Sequence, residues 1–337
     1  MSPVKSQRSQ PVVSVVIVAW NSSAHLRVCF QSLKKQAFTD FEVVVVDNGS
    51  TDNSIEYIKD FGLRFKIERL NKNEGFSTAN NIGARLANGK WIVLLNADAF
   101  PEPDWLENLL AAAETHPEYS FYSSRQIQAN KTELLDGAGD VYNVSGLAWR
   151  RYYNFPSSKF GHQTEEVFSA CGAAALYLRE DFSNVGGFDE DYFSYFEDVD
   201  LGFRLRLTGK KCLYVPEAVV HHVGSASTGK RSDFSVYYGY RNMIWTFFKN
   251  MPSPLIWFFL PVHIVTLMFF VVYLSFRGQG KVILRAIRDA LQGLPGVLEK
   301  RKAIQKSKRI GPAELLKVMS TGLLEPYREF MFRNRTK

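Results

Sequence analysis

The sequence predicts an α/β fold, a sheet of buried strands flanked by helices, and three observations predict it. Residues 12–18, 43–46 and 91–95 are continuous hydrophobic runs rich in β-branched side chains, the composition of strands covered on both faces. Each run stops at a polar turn: Ala19-Trp20-Asn21 after the first, Asp47-Asn48-Gly49-Ser50 after the second, Asn96-Ala97-Asp98 after the third. Between the runs the apolar residues change to helical spacing. Ligands of such sheets sit beyond the carboxyl ends of the strands, so the three turns are expected to share one crevice. Strand alternating with helix also predicts a layered domain with right-handed crossovers.

Each element has its own signal. Leu26, Phe30 and Leu33 mark the face of a helix after the first strand. Ile55 and Ile58 predict another after the second, with Ser50 and Asp52 placed to cap its N-terminus. Pro101 and Pro103 follow Asp98 and present it on a tight turn. A hard oxygen ligand at a strand end suits Mg²⁺ or Mn²⁺ bridging a diphosphate, a metal usually held by one or two carboxylates and phosphate oxygens. A turn-forming aspartate is the other reading of the same residue. Ala170-Cys171-Gly172-Ala173-Ala174-Ala175 is small enough for a substrate to approach the backbone, and Gly186-Gly187-Phe188-Asp189 reads as a flexible turn.

The stretch Tyr195-Phe196-Glu197-Asp198-Val199-Asp200-Leu201 predicts a helix starting near Glu197. The helix dipole favours acids in that first turn, and Asp200 is placed to pair with Arg204 four residues on. Phe193, Tyr195 and Phe196 supply an apolar setting of the kind that raises a carboxylate toward the range of a general base working near neutrality. In Val219-Val220-His221-His222-Val223-Gly224-Ser225 a short strand ends in two histidines. Adjacent strand residues point to opposite faces, so at most one faces the site.

At 337 residues the chain has room for a large domain and an appendage. The expected division is a polar, basic tail over 1–10 that lacks the apolar core of a secretory signal, an α/β domain over 11–250, and an apolar and basic helical region over 251–337. Cys29, Cys171 and Cys212 have neither zinc-site nor disulfide-framework spacing, which fits a reducing, cytosolic setting. The net charge is +7, and ten Lys or Arg against two acids fall between residues 277 and 309, so an anionic partner such as lipid headgroups is expected. Residues 254–276 carry no charged side chain apart from His263 and are long enough to cross a bilayer. A single crossing would place the basic segment on the outer side, against the positive-inside tendency. An interfacial or re-entrant hairpin is therefore expected ahead of a single span, which needs the same hydrophobicity and stays the alternative. Ile283, Ile287, Leu291 and Leu294 on one helical face, with Lys281, Arg285 and Arg288 on another, extend the membrane-surface pattern. The chain carries no nucleic-acid recognition motif such as an RRM box or a zinc finger.

Taken in order, Ala19-Trp20-Asn21, Val46-Asp47-Asn48-Gly49-Ser50-Thr51-Asp52, Asn73-Glu74-Gly75-Phe76, Leu95-Asn96-Ala97-Asp98, Gly186-Gly187-Phe188-Asp189, Phe196-Glu197-Asp198-Val199-Asp200-Leu201 and His222-Val223-Gly224-Ser225 resemble the family 2 glycosyltransferases, and within them the bacterial rhamnosyltransferase-like branch that builds cell-surface polysaccharides. The match covers about residues 12–250, and the combined order is more specific than any single motif. The resemblance implies a GT-A fold, a Rossmann-like mixed sheet flanked by helices, and inverting transfer from a nucleoside-diphosphate sugar. It places Trp20, Asn21, Asp47, Asn48, Gly75 and Asn96 in nucleotide-sugar binding, with Asp47 on the base. It gives Asp98 the divalent metal, Mn²⁺ or Mg²⁺, with His222 joining the metal shell and His221 outside it. Asp198 becomes the general base toward the acceptor hydroxyl, with Glu197 beside it placing the acceptor. One departure stands out: the family's metal motif is often two acids around one residue, and here the first is Asn96.

The implied reaction moves a sugar, rhamnose from dTDP-rhamnose in the first instance, onto a lipid-linked saccharide at the cytoplasmic side of the inner membrane. Residues 125–165, rich in aromatics and arginines with weak periodicity, are expected to carry acceptor specificity. A sugar nucleotidyltransferase would need a glycine-rich, basic phosphate loop directly after the first strand, and Ala19-Trp20-Asn21-Ser22-Ser23 is not one. A dinucleotide oxidoreductase fails for lack of a Gly-x-Gly-x-x-Gly turn there. A catalytically degenerate membrane scaffold is the non-enzyme alternative. Asn96 leaves it room, and the presence of both Asp98 and Asp198 speaks against it.

Overall fold

The computed structural model describes residues 10–56, 58–224 and 232–325. The first hydrophobic runs form β1 (Val13–Ala19), β2 (Phe41–Asp47), β3 (Phe65–Arg69) and β4 (Trp91–Leu95), interleaved with α1 (Ser23–Lys34) and α2 (Gly75–Leu86). These four strands are parallel in the order β4-β1-β2-β3. The chain then adds β5 (Ala99–Pro101), α3 (Trp105–Thr115), β6 (Phe121–Gln128), β7 (Lys131–Gly137), β8 (Asp140–Tyr142), β9 (Ala148–Arg150), β10 (Glu165–Val167), β11 (Ala174–Leu178), α4 (Arg179–Asn184), α5 (Glu197–Leu207) and β12 (Cys212–His222). β11 inserts antiparallel between β4 and β6, and β12 runs parallel to β6. The sheet is therefore mixed, in the order β10-β12-β6-β11-β4-β1-β2-β3. Because β11 reverses direction twice over, β1, β2, β4, β6 and β12 all deliver their carboxyl ends to one edge.

Alternate sheet residues pack into two layers. One face, with Val15, Ile17, Val43, Val45 and Val93, meets Leu26, Cys29, Phe30 and Leu33 of α1 and Leu106 and Leu109 of α3. The other, with Val16, Val44, Ile92 and Leu94, meets Phe182, Phe188, and Leu201 and Leu205 of α5. The three cysteines are buried and unpaired.

The helix expected after the second strand does not form. Residues 51–56 make bends and turns and Ile58–Phe61 a single 3₁₀ turn, although Ile55 and Ile58 are buried as their spacing implied. The intended caps bond elsewhere: Asp52 accepts from the Ser23 amide at 3.1 Å and the Ser54 amide at 3.0 Å, and Ser50 Oγ accepts from the Asn21 amide at 3.0 Å. Asp52 thus serves the start of α1 across the loop as well as its own turn, and a segment this short has too few hydrogen bonds to nucleate a helix.

The C-terminal region is helical: α6 (Asp233–Asn250), α7 (Ser253–Phe276), α8 (Gly280–Ser307) and α9 (Pro312–Val318). The hydrophobic segment forms one continuous helix and not a hairpin; Pro261 lies inside it without breaking it. One face of α7 packs inward through Leu255, Ile256, Phe259, His263, Thr266, Phe270 and Leu274. The outward face is apolar as well, with Trp257 73 %, Phe258 74 % and Phe276 87 % exposed.

Candidate active site

The turns beyond β1, β2, β4 and β12, the N-termini of α2 and α5, and the loop around Cys171 enclose a cleft of about 600 Å³. Trp20, Asn21, Asn48, Gly75, Asn96, Asp98, Glu197, Asp198 and His222 line it. Asp47 ends β2 outside that lining, its Oδ1 accepting the Ser50 amide at 3.0 Å. Ser225, which closes the last motif, lies outside the described residues, as do residues 1–9 of the tail.

On the β1–β2 side most of the polar groups hold the cleft's shape. Asn21 stands at φ +48° and accepts from the Thr51 amide at 2.8 Å. Asn48 donates to Asn73 Oδ1 at 2.9 Å and accepts the Glu74 amide at 2.9 Å, so it builds the turn into α2. Gly75 follows at φ +86°, where a Cβ would sit 2.6 Å from the Phe193 ring and 2.7 Å from its carbonyl oxygen. Both the dihedral and the contact require glycine. The first amides of α2 are engaged as well, Gly75 with Asn73 Oδ1 and Phe76 with the Phe193 carbonyl at 2.6 Å.

At the ends of β4 and β12 the structure assembles a pair and its support. His222 Nε2 lies 3.3 Å from Asp98 Oδ1 and 3.4 Å from Asn96 Nδ2, while His222 Nδ1 lies 2.7 Å from Asp136 Oδ2. Asp136 also pairs with Arg150 of β9, another cleft residue. Burial works to raise the Asp98 carboxyl, but the hydrogen bond and charge of His222 outweigh it and hold Asp98 below the ordinary carboxylate range. Burial would likewise lower His222; the hydrogen bonds to Asp136 and Asp98 push it up to about 9. His221 points away and meets Glu102 Oε1 at 3.1 Å, as strand alternation requires.

Asp136 was not legible from the motifs. Gln126 pairs with Gly137 and the next residue, Ile127, with Leu135. Asp136 is therefore the extra residue of a β-bulge, a device that re-aims a side chain. The donor set fits a divalent cation that takes its remaining ligands from a diphosphate: Asp98 Oδ1 and His222 Nε2 face the cleft together, and Asp136 holds the second imidazole nitrogen as metal-bound histidines usually require. Among the described residues there is no group of three or more His, Cys, Asp or Glu side chains that could hold a metal ion by themselves.

The acids of α5 form the second group. Asp198 Oδ2 accepts the Gly172 amide at 3.0 Å and Oδ1 the Val199 amide at 2.8 Å. Glu197 is buried with no hydrogen-bond partner at Oε2. Burial first, and the Asp198 charge second, raise the Glu197 carboxyl well above its ordinary value. Asp200 turns away into the core and bonds Arg204 at 2.8 Å, Lys249 at 2.8 Å and Asn250 at 2.8 Å. Phe193, Tyr195, Phe196 and Phe234 complete this end of the cleft. Phe234 belongs to none of the sequence motifs, whereas Trp149 and Arg150, at another part of the lining, come from the aromatic- and arginine-rich residues 125–165.

Residues 14–186 match the model of the family described as Glycosyl transferase family 2. The O-antigen biosynthesis protein RfbC of Myxococcus xanthus is 29 % identical over 236 residues, which is 67 % of this chain and 18 % of that protein. The N-acetylglucosaminyl-diphospho-decaprenol L-rhamnosyltransferase of Mycobacterium tuberculosis is 30 % identical over 246 residues, 65 % of this chain and 78 % of the relative. Two solved structures share the fold. GalNAc-T7 with UDP, GalNAc and Mn²⁺ superposes with a TM-score of 0.58 at 21 % identity, covering 71 % of this chain and 48 % of the other. The mannosyltransferase PcManGT of Pyrobaculum calidifontis with GDP-Man and Mn²⁺ has a TM-score of 0.54 at 16 % identity, covering 92 % and 86 %. With a family match over half its length and a rhamnosyltransferase relative aligned over most of that relative's length, the chain belongs to glycosyltransferase family 2 and has the GT-A fold.

Proposed function

We propose that this glycosyltransferase inverts the anomeric centre of a nucleoside-diphosphate sugar while transferring the sugar to a lipid-linked saccharide at the cytoplasmic face of the membrane. Rhamnose, from dTDP-rhamnose, is the sugar we place first, because a relative named as an L-rhamnosyltransferase aligns over 65 % of the chain. The observation that carries the reading is the shared cleft: Asp98 with His222 and Glu197 with Asp198 reach it from different elements. An in-line displacement needs just such a division, one group for the leaving diphosphate and one for the incoming hydroxyl.

Asp198 takes the proton from the acceptor hydroxyl as that oxygen bonds to the anomeric carbon. The bond to the diphosphate breaks, and its electron pair leaves on the phosphate oxygen. The Gly172 and Val199 amides orient the carboxylate, and Glu197, whose carboxyl burial raises, stands beside it to place the acceptor. Asp98 and His222 would hold Mn²⁺ or Mg²⁺, which when bound neutralises charge on the departing diphosphate. Trp20 offers its ring to the nucleoside, Asn21 and Asp47 stand at the base, Asn48 and Gly75 act through the turn they build, and Asn96 orients Asp98 or a ribose hydroxyl.

Residues 11–250 then form the transferase unit, and the helices of 251–337 bring it to the lipid. Packing favours an interfacial helix over a span. From Leu255 to Leu274 the inner face of α7 rests on the transferase, and His263 Nδ1 donates to the Ser145 carbonyl at 2.8 Å. A crossing would carry those polar neighbours into hydrocarbon, which is costly. Lying in the interface instead, α7 buries Trp257, Phe258 and Phe276 among the lipid chains, while Arg285 and Arg288 of α8 reach headgroups. This reading deepens the expectation of a membrane-surface helix and replaces its hairpin geometry.

The test is nucleotide release from dTDP-, UDP- and GDP-sugars with Mn²⁺ or chelator in the presence of bacterial lipid extract. Metal-dependent release from one donor, lost in Asp198→Asn with nucleotide binding retained, supports the assignment. Equal loss of nucleotide affinity in Asp198→Asn and Asp98→Ala would contradict the division of roles.

A further inference from the structure

The segment that enters α5 holds backbone conformations that side chains disfavour. Phe193, Tyr195 and Phe196 stand at φ 63°, 67° and 68°, three non-glycine residues at positive φ within four positions, directly before Glu197 and Asp198. Such residues persist only where the surroundings over-determine them.

A single side chain of α6 supplies much of that constraint. Asn242 is fully buried, and its Nδ2 donates to the carbonyl oxygens of Tyr192 at 3.0 Å, Ser194 at 2.9 Å and Tyr195 at 2.7 Å. An amide nitrogen carries two N–H bonds, so one is shared between two carbonyls. Asn242 Oδ1 accepts from Arg241 Nε at 2.9 Å, which decides the end of the amide that faces the loop. Arg241 Nη2 donates in turn to the carbonyls of Asp191 at 2.7 Å and Tyr192 at 3.1 Å.

The loop is fastened at its other points too. The Phe193 carbonyl receives the Phe76 amide across the cleft. Asp189 is held by Lys249 at 2.5 Å and by Lys300 of α8, which also bonds Asp191 at 2.6 Å.

We infer that Asn242 is a positioning residue for Asp198: by gripping the carbonyls of residues 192, 194 and 195 it fixes the strained entry to α5 and the direction in which the Asp198 carboxylate enters the cleft. The inference rests on the reading of Asp198 as the base. It gives α6, and through Lys300 the apolar and basic C-terminal region, a part in the geometry of transfer besides attachment to lipid. The residue type follows from the partners, because aspartate would turn lone pairs toward three carbonyls and alanine would remove the donor that the three share.

The experiment compares full-length wild type with Asn242→Ala, Asn242→Asp and the milder Arg241→Ala. Three quantities are read: amide hydrogen exchange over residues 191–199, affinity for UDP, dTDP and GDP with Mn²⁺ by calorimetry, and turnover in the release assay above. Asn242→Ala is expected to speed exchange over 191–199 and lower kcat about 30-fold, the factor that loss of a buried hydrogen-bond set produces. Nucleotide affinity should stay within about threefold. Asn242→Asp should lose more. Arg241→Ala, removing contacts from a half-buried position, should fall between and serves if Asn242→Ala does not fold. Unchanged exchange over 191–199, or turnover within threefold of wild type, overturns the inference. An active Asp198→Asn would instead defeat the base assignment, while faster exchange in Asn242→Ala would still record the clamp, so the two failures are separable.

Discussion

Replacing Lys249 by methionine should destabilise the protein by about 3 kcal/mol. Lys249 is 1 % exposed; its Nζ lies 2.5 Å from Asp189 and 2.8 Å from Asp200, and 4.4 Å over the Tyr192 ring. Methionine fills much of the same volume and removes the charge. Breaking a buried pair by deleting one partner costs about 3–5 kcal/mol because a carboxylate is left uncompensated. The lower end applies, since Asp200 keeps Arg204 and Asn250 and Asp189 keeps Lys300. For a chain of this size that corresponds to a Tm about 6 °C lower. The pH dependence supplies a second check. Burial works to raise both carboxyls, but Lys249 and Lys300 at Asp189, and Arg204 and Lys249 at Asp200, hold them below the ordinary value. Groups with depressed pKa contribute stability above their unfolded value, about 3.9, and lose it as pH falls through the folded one. The gap between wild type and Lys249→Met should therefore be full at pH 7 and narrow below about pH 4. Scanning calorimetry across that range decides it. A Tm drop under about 2 °C at pH 7, or a gap that does not close on acidification, would refute the account of these charges as a mutually dependent set.

Three further outcomes follow from other contacts. His263 is buried against Phe247, with Nδ1–H on the Ser145 carbonyl and no partner at Nε2; burial lowers its pKa to about 4. Acidification from about 6.5 toward 4 should therefore remove up to about 3 kcal/mol of stability in wild type and not in His263→Phe, as read by urea unfolding at each pH. Asp136→Asn should weaken Mn²⁺ binding in the presence of a nucleoside diphosphate about 10- to 100-fold, measured by electron paramagnetic resonance without any turnover, because the imidazole loses the carboxylate that orients it. Trp257→Ser with Met268→Ser should reduce partition onto anionic vesicles about 100-fold in a sedimentation assay, roughly 1.5 kcal/mol being lost for each large apolar side chain withdrawn from lipid. Their melting temperature should hardly change, since both side chains are exposed.

Local chemistry was readable wherever neighbours in sequence decide the outcome. Continuous β-branched runs made β1, β2 and β4; Leu26, Phe30 and Leu33 made the buried stripe of α1; the acids of residues 197–200 opened α5, and Asp200 met Arg204 one turn on. The opposed directions of His221 and His222 followed from the alternation of a strand. These depend on spacings of two to four residues, which backbone geometry converts directly into faces. The residues 51–61 show where that reasoning stops. Ser50 and Asp52 are equally good caps for the loop across from them, and only the approach of β1 to β2 decided which amides they would meet.

What tertiary structure alone decided is the set of contacts that no spacing encodes. Sheet order placed a bulge at Asp136 beside a histidine 86 residues later. The docking of α6 brought Asn242 beneath the loop before Glu197, and packing gave α7, a segment long enough to span a membrane, one buried face and one exposed apolar face. The sequence by itself thus determined the elements and the order of the chemical groups, because those are local. Which groups share a cleft, which hold the others in place, and which face of α7 stays exposed were left to the free energy of packing the whole chain, to which each residue contributes through partners far away in sequence.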